Sequence, residues 1–251
     1  LDYPEYFPQE RKWRFPRIVQ GVMNHAAGIL ASSEAAAERI ARYRRDRGLS
    51  LIPIIADPLP GAHPFLDRTG RKVSNHPYVL AIGTVEPRKN YLGLLLLWRR
   101  LILEGQRVPK LVILGRIGWE NEGVIALLER SPALKGHVMV ASGISDEACL
   151  RLLQGARALL SPSFAEGYGI PIVEALSAGV PVIASDIPVY REITQGRATF
   201  CSALDGQAWA RAVTDLLHPV GNETRQRDAD AFSSPQWETY FDRLLPALRT
   251  L

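Results

Sequence analysis

Cysteine is scarce in this chain. Cys149 and Cys201 are the two present in 251 residues, and they stand far apart in no metal-binding or redox spacing. That excludes a disulfide scaffold and points to a reducing compartment, so the expected location is the cytoplasm. Long apolar runs are missing as well. None exceeds residues 94–98 (LLLLW), against the ~20 residues that a membrane-spanning helix needs. Residues 1–15 carry Pro, Glu, Arg and Lys where a secretory leader requires an apolar stretch. The first residue is Leu1 rather than Met, so further residues are expected upstream. Charge is not concentrated in one sign: 30 Lys and Arg face 26 Asp and Glu, for a net charge of +4. No zinc-finger spacing or aromatic RNA-binding signature accompanies the basic residues, so no nucleic-acid partner is expected. His25, His63, His76, His137 and His218 make no HExxH or other short metal-ligand spacing, and no metal site is expected. There is no GxGxxG for a nicotinamide dinucleotide; Gly115-Arg116-Ile117-Gly118 lacks the third glycine. Nor does Gly143-Ile144-Ser145 continue into a nucleophile elbow, because Glu147 stands where the closing glycine belongs.

What the chain does have is apolar material in a regular alternation. Apolar residues make up 47% of it and mean hydropathy is −0.04, which supports a core and excludes wholesale disorder. Residues 78–83 (YVLAIG), 110–115 (KLVILG), 137–141 (HVMVA), 157–161 (ARALLS), 180–185 (VPVIAS) and 198–201 read as strands. Their nearly continuous hydrophobicity is that of strands covered on both faces. Helical patterns occupy 91–103, 120–130, 146–155, 171–178 and 189–194, with Ser145, Asp146 and Glu147 supplying a cap and a first acidic turn. Strict strand–helix alternation predicts an α/β fold built on a doubly wound parallel sheet, since parallel strands need crossovers.

The pattern thins before residue 77. Residues 28–32 (GILAS) predict a strand, 33–45 a helix capped by Ser33, and 51–55 (LIPII) another strand. Asp57-Pro58-Leu59-Pro60-Gly61 and the polar stretch to His76 predict a linker over 61–76. A first block of two strands and two helices in residues 1–60 is too small to bury a core of its own. It reads as the end of a domain, followed by a main domain over 77–232 and a C-terminal segment over 233–251. Residues 207–217 and 235–248 have amphipathic helical periods. Arg39, Arg42, Arg44, Arg45 and Arg47 are read as a solvated helix face, with anionic lipid as the functional alternative.

In open α/β sheets, ligands bind beyond the carboxyl ends of strands where the strand order reverses. For the common order 3-2-1-4-5-6 those strands are 78–83 and 157–161, and the most unusual loops follow them. One carries Thr84 and the cation pair Arg88-Lys89. The other runs Pro162-Ser163-Phe164-Ala165-Glu166-Gly167-Tyr168-Gly169-Ile170-Pro171. Gly167 and Gly169 allow close backbone approach, and Pro171 suits a helix start whose free amides attract phosphate. Arg88 and Lys89 add positive charge for a diphosphate. Glu174, placed in the first turn of that helix, can accept from the vicinal hydroxyls of ribose.

These residues resemble a family. Residues 166–174 (EGYGIPIVE), followed by ALSAG and VPVIASD, resemble the Glu-seven-Glu motif of family 4 glycosyltransferases. GTVEPRKN over 83–90 resembles their second signature, LVILGRIGW over 111–119 extends the match, and the resemblance covers about residues 78–217. It implies two Rossmann-like domains in the GT-B arrangement, here a C-terminal domain with a partial second domain before it. It also implies transfer of a sugar with retention of configuration, from a GDP- or UDP-linked nucleotide sugar, without a metal or other cofactor. Carried over, Arg88 and Lys89 hold the diphosphate, Glu174 binds ribose, and Glu166 lies beside the donor sugar as the catalytic candidate. Backbone around Gly167, Tyr168, Gly169 and Ile170 contacts sugar or phosphate, and residues 139–142, Val140 among them, border the base. Thr84 stands where many relatives carry arginine. The C-terminal helix resembles the segment that crosses back to the first domain.

The resulting expectation is a hexosyltransferase, of mannose or another hexose, acting on a glycan or lipid-linked acceptor and reaching the inner face of a membrane peripherally. A sugar-nucleotide epimerase of the same architecture, and a nucleotide-binding fragment without transfer of its own, are the alternatives. The strands on which residues 1–60 would pack are not in this sequence, so an apolar surface is expected to be left uncovered.

Overall fold

The structure, a computed structural model, describes residues 4–60, 76–218, 226, 229, 231–233 and 235–249. The first block consists of α1 (Gln9–His25), β1 (Ile29–Ala31), α2 (Glu34–Asp46) and β2 (Ile54–Ala56). The second runs through β3 (Tyr78–Ile82), α3 (Tyr91–Leu103), β4 (Lys110–Leu114), α4 (Glu122–Arg130), β5 (Val138–Ala141) and α5 (Asp146–Gln154). It continues with β6 (Leu159–Ser161), α6 (Ile170–Ser177), β7 (Val182–Ser185), α7 (Pro188–Ile193), β8 (Thr199–Cys201) and α8 (Gly206–Thr214). A last helix, α9, spans Trp237–Leu248.

The apolar runs 78–83 to 198–201 all form strands, and along 78–82, 110–114 and 182–185 residues of both parities are buried. Val79, Ala81, Leu111, Ile113 and Leu160 meet α3, α4 and α8 on one face of the sheet. Leu80, Val112, Leu114 and Leu159 meet α5, α6 and α7 on the other. Trp98 anchors the first layer, fully buried, with its indole N–H donating to Pro109 O at 2.9 Å. The six strands are parallel and lie in the order β5-β4-β3-β6-β7-β8. Counted within the block this is 3-2-1-4-5-6, so the order reverses between β3 and β6, as the two loops required.

In the first block β1 and β2 form a two-stranded parallel sheet of their own. Ser33 caps α2 as expected, accepting from the Ala36 N–H at 3.1 Å. The second helix of the block, which no periodicity located, is α1. Phe15, Ile18, Val19, Val22 and Met23 do stand at helical spacing along it, but Pro16 and the cations of its first half interrupt the pattern. The arginine cluster is not a uniformly solvated face. Arg44 is buried, donating Nε to Ser50 O at 3.0 Å and Nη1 to Met23 O, and so ties the end of α1 to the turn after α2. Arg42, Arg45 and Arg47 are exposed, and Arg47 lies over the Tyr43 ring. The linker expected at 61–76 lies outside the described residues apart from His76.

Polar contacts join the blocks. The Glu192 carboxylate of α7 accepts from the Glu34 and Ala35 N–H groups at 2.7 and 2.9 Å, at the amino end of α2 where the helix dipole favours a negative charge. Arg243 of α9 reaches the buried Asp57 just after β2, at 2.5 Å. Tyr168 donates its hydroxyl to Leu59 O at 2.5 Å.

Candidate functional site

The loops after β3 and β6 are stitched together at the switch point. The Phe164 N–H donates to Arg88 O at 2.9 Å, and Arg88 Nη1 donates to Ala165 O at 2.8 Å. Pro87 opens a single 3-10 turn over Pro87–Lys89, which aims Arg88 and Lys89 at the second loop before Asn90 (φ 55°) turns the chain into α3. Gly83 has φ 139°, and a Cβ there would lie 3.1 Å from Lys89 Cε. The stem of Lys89 therefore packs against bare backbone, which fixes where its ammonium ends.

Both cations converge on one carboxylate. Lys89 Nζ lies 2.5 Å from Glu166 Oε1 and Arg88 Nη1 lies 2.6 Å from Glu166 Oε2. Arg88 also binds the buried Glu86 through Nη2, and Ser163 donates to Glu166 Oε1 at 3.1 Å. The Glu166 side chain is only 10% exposed. Burial alone would raise its pKa; the charges of Lys89 and Arg88, and hydrogen bonds from both, outweigh that and hold the carboxyl below the ordinary glutamate range. Burial lowers the Arg88 pKa less than the charges of Glu166 and Glu86 raise it, so its guanidinium is held in the charged form. The result is a compact cluster of two cations and two carboxylates at the carboxyl edge of the sheet. An incoming anion would have to compete with Glu166 for both cations.

The helix start beside the cluster differs from expectation by one residue. Gly169, at φ 130°, is the N-cap of α6, so the helix begins at the 43%-exposed Ile170 with Pro171 second. No side chain could stand at Gly169: a Cβ would come within 2.9 Å of both Ile193 Cδ1 and Tyr190 Cε1. Gly167 is not constrained in this way, since a Cβ there would meet open space. Its carbonyl accepts from Ser32 Oγ at 3.2 Å, so the first block touches this loop directly. Because α6 starts early, Glu174 is its fifth residue and falls in the second turn, not the first. Its negative charge reaches Cys149 of α5, whose thiol pKa is pushed up by burial and then by Glu174.

The remaining expected residues divide. Thr84 sits at the mouth of the β3 loop, its methyl so near Gly118 that a Cβ there would lie 2.7 Å from it. Tyr168 is buried with its hydroxyl on Leu59, so only its backbone faces the crevice loop. Val140 packs its side chain against the core on an edge strand, two strands from the switch point, which leaves contact with a base to backbone and the loop beyond it. Sequence reasoning missed Glu86, Ser163 and Tyr190. Glu86 and Ser163 lie within the two loops, and their burial was the only missing signal; Tyr190, on α7, gave none. Among the described residues no group of three His, Cys, Asp or Glu side chains is gathered to hold a metal ion.

Comparison with known proteins supplies the rest. Residues 64–229 match the family model described as Glycosyl transferases group 1, about two thirds of the chain. O-antigen chain mannosyltransferase B of Escherichia coli is 32% identical over 198 residues, covering 76% of this chain and 51% of that protein. An MMP alpha-(1->4)-mannosyltransferase of Mycolicibacterium hassiacum is 28% identical over 239 residues, covering 90% of this chain and 56% of that protein. The chain thus spans about half the length of the curated relatives it matches. Among solved structures, sucrose-phosphate synthase from Thermosynechococcus elongatus superposes with a TM-score of 0.74 at 19% identity, over 98% of this chain and 65% of that one. That likeness shows a shared fold.

Proposed function

The chain belongs to the glycosyl transferases group 1 family, and from that premise we propose that it is the nucleotide-sugar-binding half of a retaining hexosyltransferase. The observation that carries this reading is the convergence of Arg88 and Lys89 on Glu166 beside the glycine-capped start of α6. A diphosphate entering here meets two cations at the positive end of the α6 dipole, which together stabilise the charge of a leaving nucleoside diphosphate. Glu166, released from the cations by the phosphates, is then the carboxylate beside the sugar. Glu174 accepts from the ribose hydroxyls, and the loop after β5 borders the base. Mannose is the sugar favoured, since the relatives named above are mannosyltransferases, with a glycan or lipid-linked acceptor. For a lipid-linked acceptor, the exposed Arg42, Arg45 and Arg47 are the side chains with charge to meet an anionic membrane surface. No helix among the described residues is long and apolar enough to cross a membrane.

A second reading, nucleotide binding without transfer, draws on the first block. There Trp13, Ile18, Val22 and Leu51 are 72%, 58%, 51% and 83% exposed. We read residues 1–60 as part of an acceptor-side domain whose remaining strands would cover these side chains. On that reading, the longer protein transfers sugar and this chain alone transfers it poorly. Family membership favours transfer over epimerisation.

Calorimetric titration with GDP, UDP, GDP-mannose and UDP-glucose tests the proposal. One base should bind, and Lys89→Ala should weaken the nucleoside diphosphate by roughly 10- to 100-fold, as loss of a charged contact worth ~1.5–3 kcal/mol requires. Undiminished binding by a folded Lys89→Ala variant would overturn the assignment.

A further inference from the structure

The carboxylate of Glu166 is held from two sides, and the second side is neutral. Ser163 is fully buried and donates its hydroxyl to Glu166 Oε1 at 3.1 Å. At the end of β6 the Ser161 hydroxyl is paired with that of Tyr190 of α7, 1% exposed, at 2.7 Å, a second buried hydroxyl contact that does not include Glu166. Buried hydroxyls are stabilising when fully satisfied and harmful when one partner is lost.

The two sides of Glu166 have different fates when a diphosphate enters. Arg88 and Lys89 are the groups that phosphate oxygens draw away, because charge-assisted bonds to phosphate replace those to the carboxylate. Ser163 carries no charge and lies behind the carboxylate, on the loop that leads into α6. We propose that Ser163 is a positioning residue that keeps Glu166 aimed at the donor sugar once the phosphates have claimed the cations. The inference rests on the nucleotide-sugar reading given above. It makes Ser163 matter to the sugar and not to the nucleoside diphosphate.

The test compares the affinity of GDP with that of GDP-mannose, and of UDP with that of UDP-glucose, in the parent chain and in Ser163→Ala and Tyr190→Phe. Tyr190→Phe keeps the ring that packs under Gly169 and removes a neighbouring buried hydroxyl that bonds Ser161 and not Glu166, so it is the control for a general effect of losing a buried hydroxyl. Ser163→Ala should leave the sugar-free nucleotide within about twofold and reduce the affinity added by the sugar about tenfold, the scale of one hydrogen bond to a charged group. Tyr190→Phe should leave that increment within about twofold of the parent's. Ser163→Ala should lose the increment at a higher pH than the parent does, because a carboxylate deprived of a donor takes up its proton more readily.

Equal weakening of sugar-free and sugar-bearing nucleotides would mean a merely structural serine and would overturn the proposal. So would an unchanged ratio in Ser163→Ala, an equal loss of the increment in Tyr190→Phe, or a parent to whose binding the sugar adds nothing. If Lys89→Ala loses the nucleotide while the ratio stays unchanged in Ser163→Ala, the nucleotide site stands and only the role of Ser163 falls. A parent that binds none of the four probes removes both readings.

Discussion

The two blocks of this molecule are built from the same kind of unit and end in opposite conditions. Both hold parallel strands joined through helices. In the second, the central strands are covered by helices on both faces, and Val79, Leu80, Ala81, Leu111 and Ile113 are at 0% exposure. In the first, β1 and β2 pair only with each other among the described residues, and Leu30 of β1 is 44% exposed. Helix α1 buries Met23 and leaves Trp13, Phe15, Ile18 and Val22 in contact with water. A two-stranded sheet has no independent stability, so the first block is held by what it touches. Those contacts join a Tyr6–Phe164 ring stack and the packing of Ala35 and Leu59 to polar ones: Glu192 on the amino end of α2, Arg243 on Asp57, and Tyr168 on Leu59. Repeating a unit does not give a core. Covering both faces of it does.

Tryptophan offers the sharpest way to break this contrast. Trp98→Ala should destabilise the chain by about 3–5 kcal/mol, the range for emptying a large buried site. Trp13→Ala, removing the same side chain from an exposed site, should change stability by less than about 0.5 kcal/mol. Urea denaturation followed by circular dichroism measures both. A costly Trp13→Ala would mean that α1 is already packed, and the contrast between blocks would fail.

A smaller effect concerns the charged cluster. With its pKa held below the ordinary value of 4.5, Glu166 contributes stability that is fully present above about pH 4.5 and is lost as pH falls through the depressed value. Glu166→Gln should remove that acid limb and weaken the fold by roughly 1.5–3 kcal/mol at neutral pH, the scale of hydrogen bonds to charged groups. It should also tighten the sugar-free nucleoside diphosphate, since the cations lose their competitor. Denaturation midpoints at pH 6 and pH 4, with calorimetry of GDP and UDP, read all three. An acid limb that persists in Glu166→Gln would place it elsewhere.

The smallest effect tests the joint between the blocks. Glu192→Gln keeps an acceptor at the amino end of α2 and removes its charge, so it should weaken the docking of α2 by about 0.3–1 kcal/mol. Amide exchange over α2 should rise while exchange in β3 and β4 stays as in the parent. Faster exchange throughout would mean that the two blocks unfold as one.

Much of the second block was readable because its signals are local. A strand buried on both faces shows as five apolar residues in a row, as in Tyr78–Ile82, and alternation with helices leaves few topologies. The site loops were readable for the same reason. Arg88, Lys89 and the stretch from Glu166 to Ile170 are each contiguous and of unusual composition.

Other features could not be read so. Helix α1 carries Phe15, Ile18, Val19, Val22 and Met23 at helical spacing, but Pro16 and the cations of its first half interrupt the pattern. The start of α6 moved by one residue since Gly169 takes its conformation from Tyr190 and Ile193 packed beneath it, and that shift carried Glu174 out of the first turn. Arg44 looked like its exposed neighbours until the turn at Ser50 closed over it.

By itself, then, the sequence determined the alternation of elements and the two unusual loops, because each is written in the period and composition of a continuous segment; the order of the main sheet, taken there only as the common one, came from the structure. Only the tertiary structure decided which charge answers which. Lys89 and Glu166 are 77 positions apart, and Ser161 of β6 meets Tyr190 of α7 29 positions further on. Contacts of that kind depend on how whole elements pack. A carboxylate, a cation and a hydroxyl carry no mark in the chain of the partner that burial will give them.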